Sequence, residues 1–283
     1  MSDITVRKQK IKRNTVKTRL IIFGTIAAVL IVCSFFSEYL TPYDPYLQDL
    51  SIAKQPPSAQ HLLGTDRYGR DMLSRVIAGS RASIYSTLLL VAVITVLGTV
   101  VGVACGWCGG WLDSLLMRIS DVFLAFPGLV FALAVAGSLG GGLQNAIIAL
   151  AAISWPKYAR IARSQTLTQK ETTWMKAVRL SGSSALKIIC KHILPNILAP
   201  IIVNATMSVS GSILSLASLG FLGLGVQPPT AEWGYMLSSG RNFIFSASHI
   251  ITFPGLAIAV TVLSFNLLGD GLRDALDPRL KEA

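Results

Sequence analysis

Charge is scarce in this sequence. Of 283 residues only 14% are Asp, Glu, Lys or Arg, against about 25% in ordinary soluble domains. That deficit excludes a typical water-soluble globular chain. Carboxylates are the rarer sign, 14 against 25 Lys and Arg. No apolar segment carries a pair of them, so two-carboxylate acid–base chemistry has no candidates. Cysteine is nearly absent: Cys33, Cys105, Cys108 and Cys190. Cys105-Gly-Trp-Cys108 has redox spacing, but it closes an apolar run with no βαβ pattern around it. No structural disulfide is implied. The three histidines, His61, His192 and His249, are scattered without ligand spacing, so no metal site is expected. No G-x-x-x-x-G-K-[ST] occurs, so the chain cannot cradle ATP phosphates by a P-loop. No catalytic residue is expected, and the chain reads as a non-enzyme.

What is present is apolar length. Hydrophobic residues make up 52% of the chain. Segments 82–111, 197–230 and 250–269 contain no charged residue, and each reaches the roughly 20 residues that span a bilayer as a helix. A shorter run, 20–36, extends to residue 40 with Glu38 at the interface. Its apolar core is too long for a signal peptide and lacks a small-x-small cleavage site, so it reads as a retained helix. Segments 122–139 and 143–162 supply two less clear spans, with kinks expected at Pro127 and Pro156. Lys157 and Arg160 would snorkel to an interface. The expectation is an all-α polytopic membrane protein with six transmembrane helices.

Lys and Arg orient it. Seven lie in 1–19, five in 41–81, one (Arg118) after the second span, and eight between Lys157 and Lys191. Arg241 stands alone and three close the chain. With the N-terminus inside, nineteen are cytoplasmic and six outside, so the positive-inside rule predicts N-in, C-in. This bias accounts for the net charge of +11 without any nucleic-acid partner. The expected organisation is a basic tail 1–19, a first helix 20–40, an outer loop 41–81, a five-helix core 82–270 and a tail 271–283. The core encloses a cytoplasmic loop at 163–196.

Within that loop, Lys176, Arg179, Lys187 and Lys191 are set among apolar residues at helical spacing. Gly182 offers a turn, Ser183 or Ser184 an N-cap, and Pro195 a stop. Ala185, Leu186, Ile189 and Ile193 predict one apolar face. Such a pair of basic helices fits either an anionic lipid surface or a groove on a soluble partner. On the apolar span 197–230, Asn204, Ser208, Gly211, Ser215 and Ser218 fall on one stripe. Small residues there suit tight helix packing, and a polar stripe also suits a hydrated path. The loop 41–81, with Tyr43, Tyr46, Pro56 and Pro57, predicts an ordered surface. It would be either a lid on the bundle or a docking face shared with 228–235.

The spacing of Ala177, Gly182 and Ile193-Leu194-Pro195 resembles the EAA…G…I-LP loop by which ABC-importer permeases contact their ATPases. Lys176-Ala177-Val178 stands where that pattern has Glu-Ala-Ala, so the acidic residue is missing. HLLGTDRYGRDMLSRVIAGSR (61–81), LGFLGLGVQPPTAEWGYML (219–237), FNLLGDGLRDALDPRL (265–280) and LTPYDPYLQDL (40–50) resemble the dipeptide/oligopeptide/nickel permease family. This resemblance covers nearly the whole chain. It implies a type I ABC-importer permease fold and a bacterial cytoplasmic membrane location. The partners it implies are a second homologous permease, two ATP-binding subunits and an extracytoplasmic substrate-binding protein. ATP and Mg would be held by the partners, and no cofactor by this chain. The cargo would be nickel, bare or chelated, or di-/oligopeptides. RLSGSS (179–184) and PPTAEWG (228–234) lean towards nickel. The rival class is an ion-coupled secondary transporter, but midplane ionisable residues and internal repeats are not evident.

Overall fold

A computed structural model describes residues 2–276, with side chains from residue 16 onward. The last part of the expected tail 271–283 and the side chains of Arg7 to Arg13 lie outside the described residues. Helices α1 (Ser2–Phe35), α2 (Ser37–Leu40), α3 (Met72–Cys108), α4 (Gly110–Ala125) and α5 (Gly128–Ser138) come first. Then follow α6 (Leu143–Lys170), α7 (Thr173–Leu180), α8 (Ala185–Ile188), α9 (Leu194–Phe221), α10 (Trp233–Gly240) and α11 (His249–Leu276). No strand occurs among the described residues, only an isolated bridge between Thr65 and Asp71. The first helix does not start at residue 20 but runs back to Ser2.

Four helical segments are long and apolar enough to cross a membrane: Val16–Phe35, Met72–Cys108, Ala185–Phe221 and His249–Leu276. The expected span 122–139 is broken at Pro127, the expected kink site, and far more sharply than a kink. α4 and α5 meet at Phe126-Pro127 with a bend of 94°. Phe126 is extended, at φ −86° and ψ 145°, because a following proline disfavours helical geometry and cannot donate to the ladder. Pro156 does not break α6, which continues through it for 28 residues. α6 is long enough to span but carries Lys157, Arg160 and Arg163. Among the described residues, length and composition alone therefore mark four apolar spans, or five with the bent pair, and leave the expected sixth unmarked.

The tightest helix pairing is between α3 and α6. Gly98, Gly102 and Gly106 lie one turn apart along α3, and each takes α6 against its backbone. A methyl at Gly102 would stand 2.8 Å from Ala162 Cβ and closer still to the Ala159 carbonyl. One at Gly106 would stand 2.8 Å from Thr166 Cβ. Between helices in a membrane, dispersion contact replaces hydrophobic drive, and small residues permit it. The contacts advance together, Gly98 with Tyr158 and Gly106 with Thr166, so α3 and α6 run parallel. α4 and α5 must therefore carry the chain back between them.

At the end of the bundle where α3 begins, segment 41–71 is compact although mostly irregular. Asp71 caps α3 by accepting from Ser74 N at 2.8 Å, and its other oxygen lies 2.9 Å from His61 Nδ1. Asp66 pairs with Arg70 at 2.6 Å and with Arg75 at 3.5 Å, all three buried. Arg75 also donates to the Pro45 carbonyl. These charge-assisted bonds replace a hydrophobic core in this small cap.

Candidate coupling surface and translocation face

α7 and α8 form a hairpin at the opposite end of the bundle. Met175, Ile188 and Ile193 are its anchors, each at most 2% exposed, packed with Val103, Ala162, Ile197 and Ile201. The turn between the helices is made at Gly182, whose φ of +74° lies in the left-handed region. Ser184 occupies the N-cap position of α8, but its hydroxyl accepts no capping bond. After Ile188 the helix does not stop. A π-turn over Ile189–Ile193 joins it to α9, and Pro195 sits in the first turn of that helix.

The π-turn changes which residues face inward. Its extra residue rotates the following helix relative to a regular α-helical count. Hence the expected face of Ala185, Leu186, Ile189 and Ile193 is not what the chain buries. Ile188 and Ile193 are inside, Ile189 is half-buried, Ala185 is exposed, and Leu186 is 72% exposed. Leu180 is 89% exposed. Of the residues singled out from the sequence, Lys176, Ala177, Gly182 and Pro195 lie at the surface. Val178 and Leu194 are half-buried, and Ile193 is an anchor. The two exposed leucines were not distinguishable by spacing alone.

Trp107 links the hairpin to α3. Lys170 Nζ donates to the Gly106 and Trp107 carbonyls at 3.0 and 2.8 Å, capping the C-terminal end of α3. The Arg179 guanidinium lies 4.8 Å from the Trp107 ring centre. Trp107, Lys170, Arg179, Ser183, Ala185 and Ile188 line an open cleft of about 360 Å³. Next to it, Asp113 binds Arg163 through both carboxylate oxygens.

The stripe on α9 is only partly packed within this chain: its Asn204 end meets Tyr158 of α6, and its middle, at Gly211, is open. Asn204, Ser208, Ser215 and Ser218 are half-buried, and Gly211 is exposed with nothing within 4 Å of the position a Cβ would take. The opposite face, with Val209, Ile213 and Leu216, is core. The hydroxyls turn back on their own helix: Ser215 donates to the Gly211 carbonyl at 2.9 Å and Ser218 to the Leu214 carbonyl at 2.7 Å. Asn204 Nδ2 donates to the Pro200 carbonyl, and its own carbonyl accepts from Tyr158 Oη. The stripe is thus a narrow, small-residue face open to another chain or to water.

At its far end α9 is keyed to α3 by Glu232, which the sequence reading had not singled out. Glu232 caps α10, accepting from Gly234 N at 2.7 Å and Tyr235 N at 2.8 Å, and it accepts from Ser83 Oγ at 3.1 Å. Burial pushes its carboxyl above the ordinary glutamate range, while these three donors pull it back. Trp233 Nε1 donates to the Val76 carbonyl. Glutamate is not among the residues that usually cap a helix N-terminus, so the sequence carries no local signal for this role.

Taken together, these features define a class: a multi-pass helical membrane subunit with an ordered cap at one end, an unpartnered basic hairpin at the other and an open polar face between. Residues 98–282 match the family described as the binding-protein-dependent transport system inner membrane component, and the chain belongs to it. It is 45% identical over 267 residues to the di/tripeptide transport system permease protein DppC of Pseudomonas aeruginosa (strain UCBPP-PA14), covering 92% of this chain and 88% of that one. It is 48% identical over 255 residues to the glutathione transport system permease protein GsiD of Escherichia coli O6:K15:H31 (strain 536 / UPEC), covering 89% and 84%. Among solved structures, an inward-facing MetNI methionine ABC transporter matches with a TM-score of 0.59 at 20% identity, over 72% of this chain and 97% of that one. That likeness shows the type I fold. The chain is an ABC-importer permease subunit of the peptide/nickel family, a transport protein and not an enzyme.

Proposed function

We propose that this chain moves short peptides inward across a bacterial cytoplasmic membrane. It would work with a second homologous permease, two ATP-binding subunits and an extracytoplasmic binding protein. The observation that carries the cargo is its similarity, along about nine-tenths of its length, to permeases named for di/tripeptides and for glutathione. Nickel has only the short stretches 179–184 and 228–234 in its favour. The hairpin at 172–196 is the coupling element, and the α9 stripe faces the path or the second permease. ATP and Mg belong to the ATP-binding partners, and this chain holds no cofactor.

Six crossings with both ends inside suit the geometry. Because α3 and α6 are parallel, the bent pair α4–α5 serves as the return crossing. Leu20 on α1 packs against Gly271 on α11, and α11 begins at the cap, where His249 meets Thr65, so Leu20 and Gly271 lie towards the hairpin's end of the bundle. The cap 41–71 with α10 is then the external docking surface.

The test combines cargo and coupling. A strain lacking this chain is complemented and given labelled dipeptide, glutathione and nickel in turn, and uptake of a peptide but not nickel is expected. Gly182→Val forces a branched residue into left-handed backbone, costing on the order of 1–2 kcal/mol. Ala177→Glu enlarges an exposed contact. Both are expected to abolish uptake while the chain still reaches the membrane. Normal uptake by both would remove the hairpin from coupling.

A further inference from the structure

Four cations of the hairpin lack an opposite charge. Lys176, Arg179, Lys187 and Lys191 are exposed, and among the described residues none forms an ion pair. Their neighbours are different. Arg160 is paired with Asp121, Arg163 with Asp113, and Lys170 is held by two carbonyls. Between residues 163 and 196 there is a single acid, Glu171. Arg179 and Lys187 directly adjoin in sequence Leu180 and Leu186, the two most exposed large apolar side chains of the hairpin. Arg179 also forms a wall of the open cleft beside Trp107.

A partner that covers the leucines strips water from the cations at their rim. Desolvated charge without a counter-charge is strongly unfavourable, so a fitting partner supplies carboxylates. We propose that the ATP-binding subunit seated here presents an apolar groove with an acidic rim, and that one of its carboxylates enters the cleft against Arg179. This rests on reading the hairpin as the coupling element. Met175, Ile188 and Ile193 are consumed by packing inside the bundle, so Leu180 and Leu186 are the apolar contacts left for a partner. An anionic lipid surface would meet the same leucines and cations, and the experiment separates the two.

The experiment uses the whole transporter in nanodiscs of uncharged phosphatidylcholine, with retention of the ATP-binding subunits measured at about 0.05 and 0.5 M salt. The variants are K176Q/R179Q, K176E/R179E and Leu186→Asp. Charge reversal is expected to cut retention at least tenfold. Neutralisation is expected to flatten the salt dependence, and an acid-to-Lys change in the ATP-binding subunit to restore the reversed variant. If Leu186→Asp releases the ATP-binding subunits while both charge variants behave as wild type, the acidic groove is wrong and the coupling reading stands. If Leu186→Asp also retains them, the coupling reading itself fails. If the charge variants differ from wild type only in nanodiscs containing phosphatidylglycerol, the cations serve lipid and the proposal is overturned.

Discussion

At the scale of single residues, two positions carry more than their size suggests. Gly102 lets α6 approach to backbone contact. Gly102→Leu places a side chain where the Ala159 carbonyl already lies, an overpacking of about 3 kcal/mol. A melting temperature in detergent lowered by several degrees is expected, with Gly137→Leu, where nothing lies within 4 Å of the Cβ position, as the tolerant control. Glu232 predicts a pH dependence. Its carboxyl holds a proton more tightly folded than unfolded, because burial raises it above the ordinary value of 4.5. The folded state therefore binds more protons, and stability falls as pH rises from that value to the raised one. Melting curves across this window are expected to show the decline, and Glu232→Gln to remove it. A wild-type curve flat in pH would contradict the assignment.

Among the elements, α9 shows how a helix divides its faces. Its core side is bound to α10, α11 and α3, and Ser210 Oγ donates to the Val262 carbonyl of α11. Its stripe side meets nothing in this chain at Gly211. Ser208→Leu and Ser215→Leu are therefore expected to leave the isolated chain folded but to lower transport or assembly with the second permease at least tenfold. Leu214→Ala, at an exposed neighbour, is the matched control. Ile213 and Leu216 cannot serve that purpose, because both are buried and truncating either would cost about 2–5 kcal/mol of fold stability. Equal transport by the serine variants and the control would show that the stripe faces only lipid.

For the molecule as a whole, orientation is the open physical question that a label can answer. The ordered cap and the basic hairpin lie at opposite ends of the bundle, and the Lys and Arg excess belongs to the hairpin's end. Gln48 is exposed in the cap. Gln48→Cys is expected to react with an impermeant thiol reagent in intact cells, and Lys187→Cys only after lysis. The reverse pattern would invert the topology. The chain's own Cys108 and Cys190 are also exposed at the hairpin's end, so they are replaced by serine first.

The helical, membrane-spanning character was legible in the sequence, because hydrophobicity and charge act over consecutive residues and need no distant partner. The break at Gly182 was legible for the same reason: a left-handed turn is a local demand that glycine meets. Tertiary structure alone decided which faces those helices use. A glycine ladder at 98, 102 and 106 is visible in the sequence, yet its partner lies some sixty residues away on α6. The small stripe of α9 has similar composition, yet within this chain it meets only Tyr158 at its Asn204 end and nothing at Gly211. Periodicity ranks both alike, since it records spacing and not what stands opposite. The π-turn at Ile189–Ile193 likewise follows from how the anchors Ile188 and Ile193 fit under α7. One inserted residue there exchanges buried for exposed positions, which is why Leu186 stands on the surface instead of in the core.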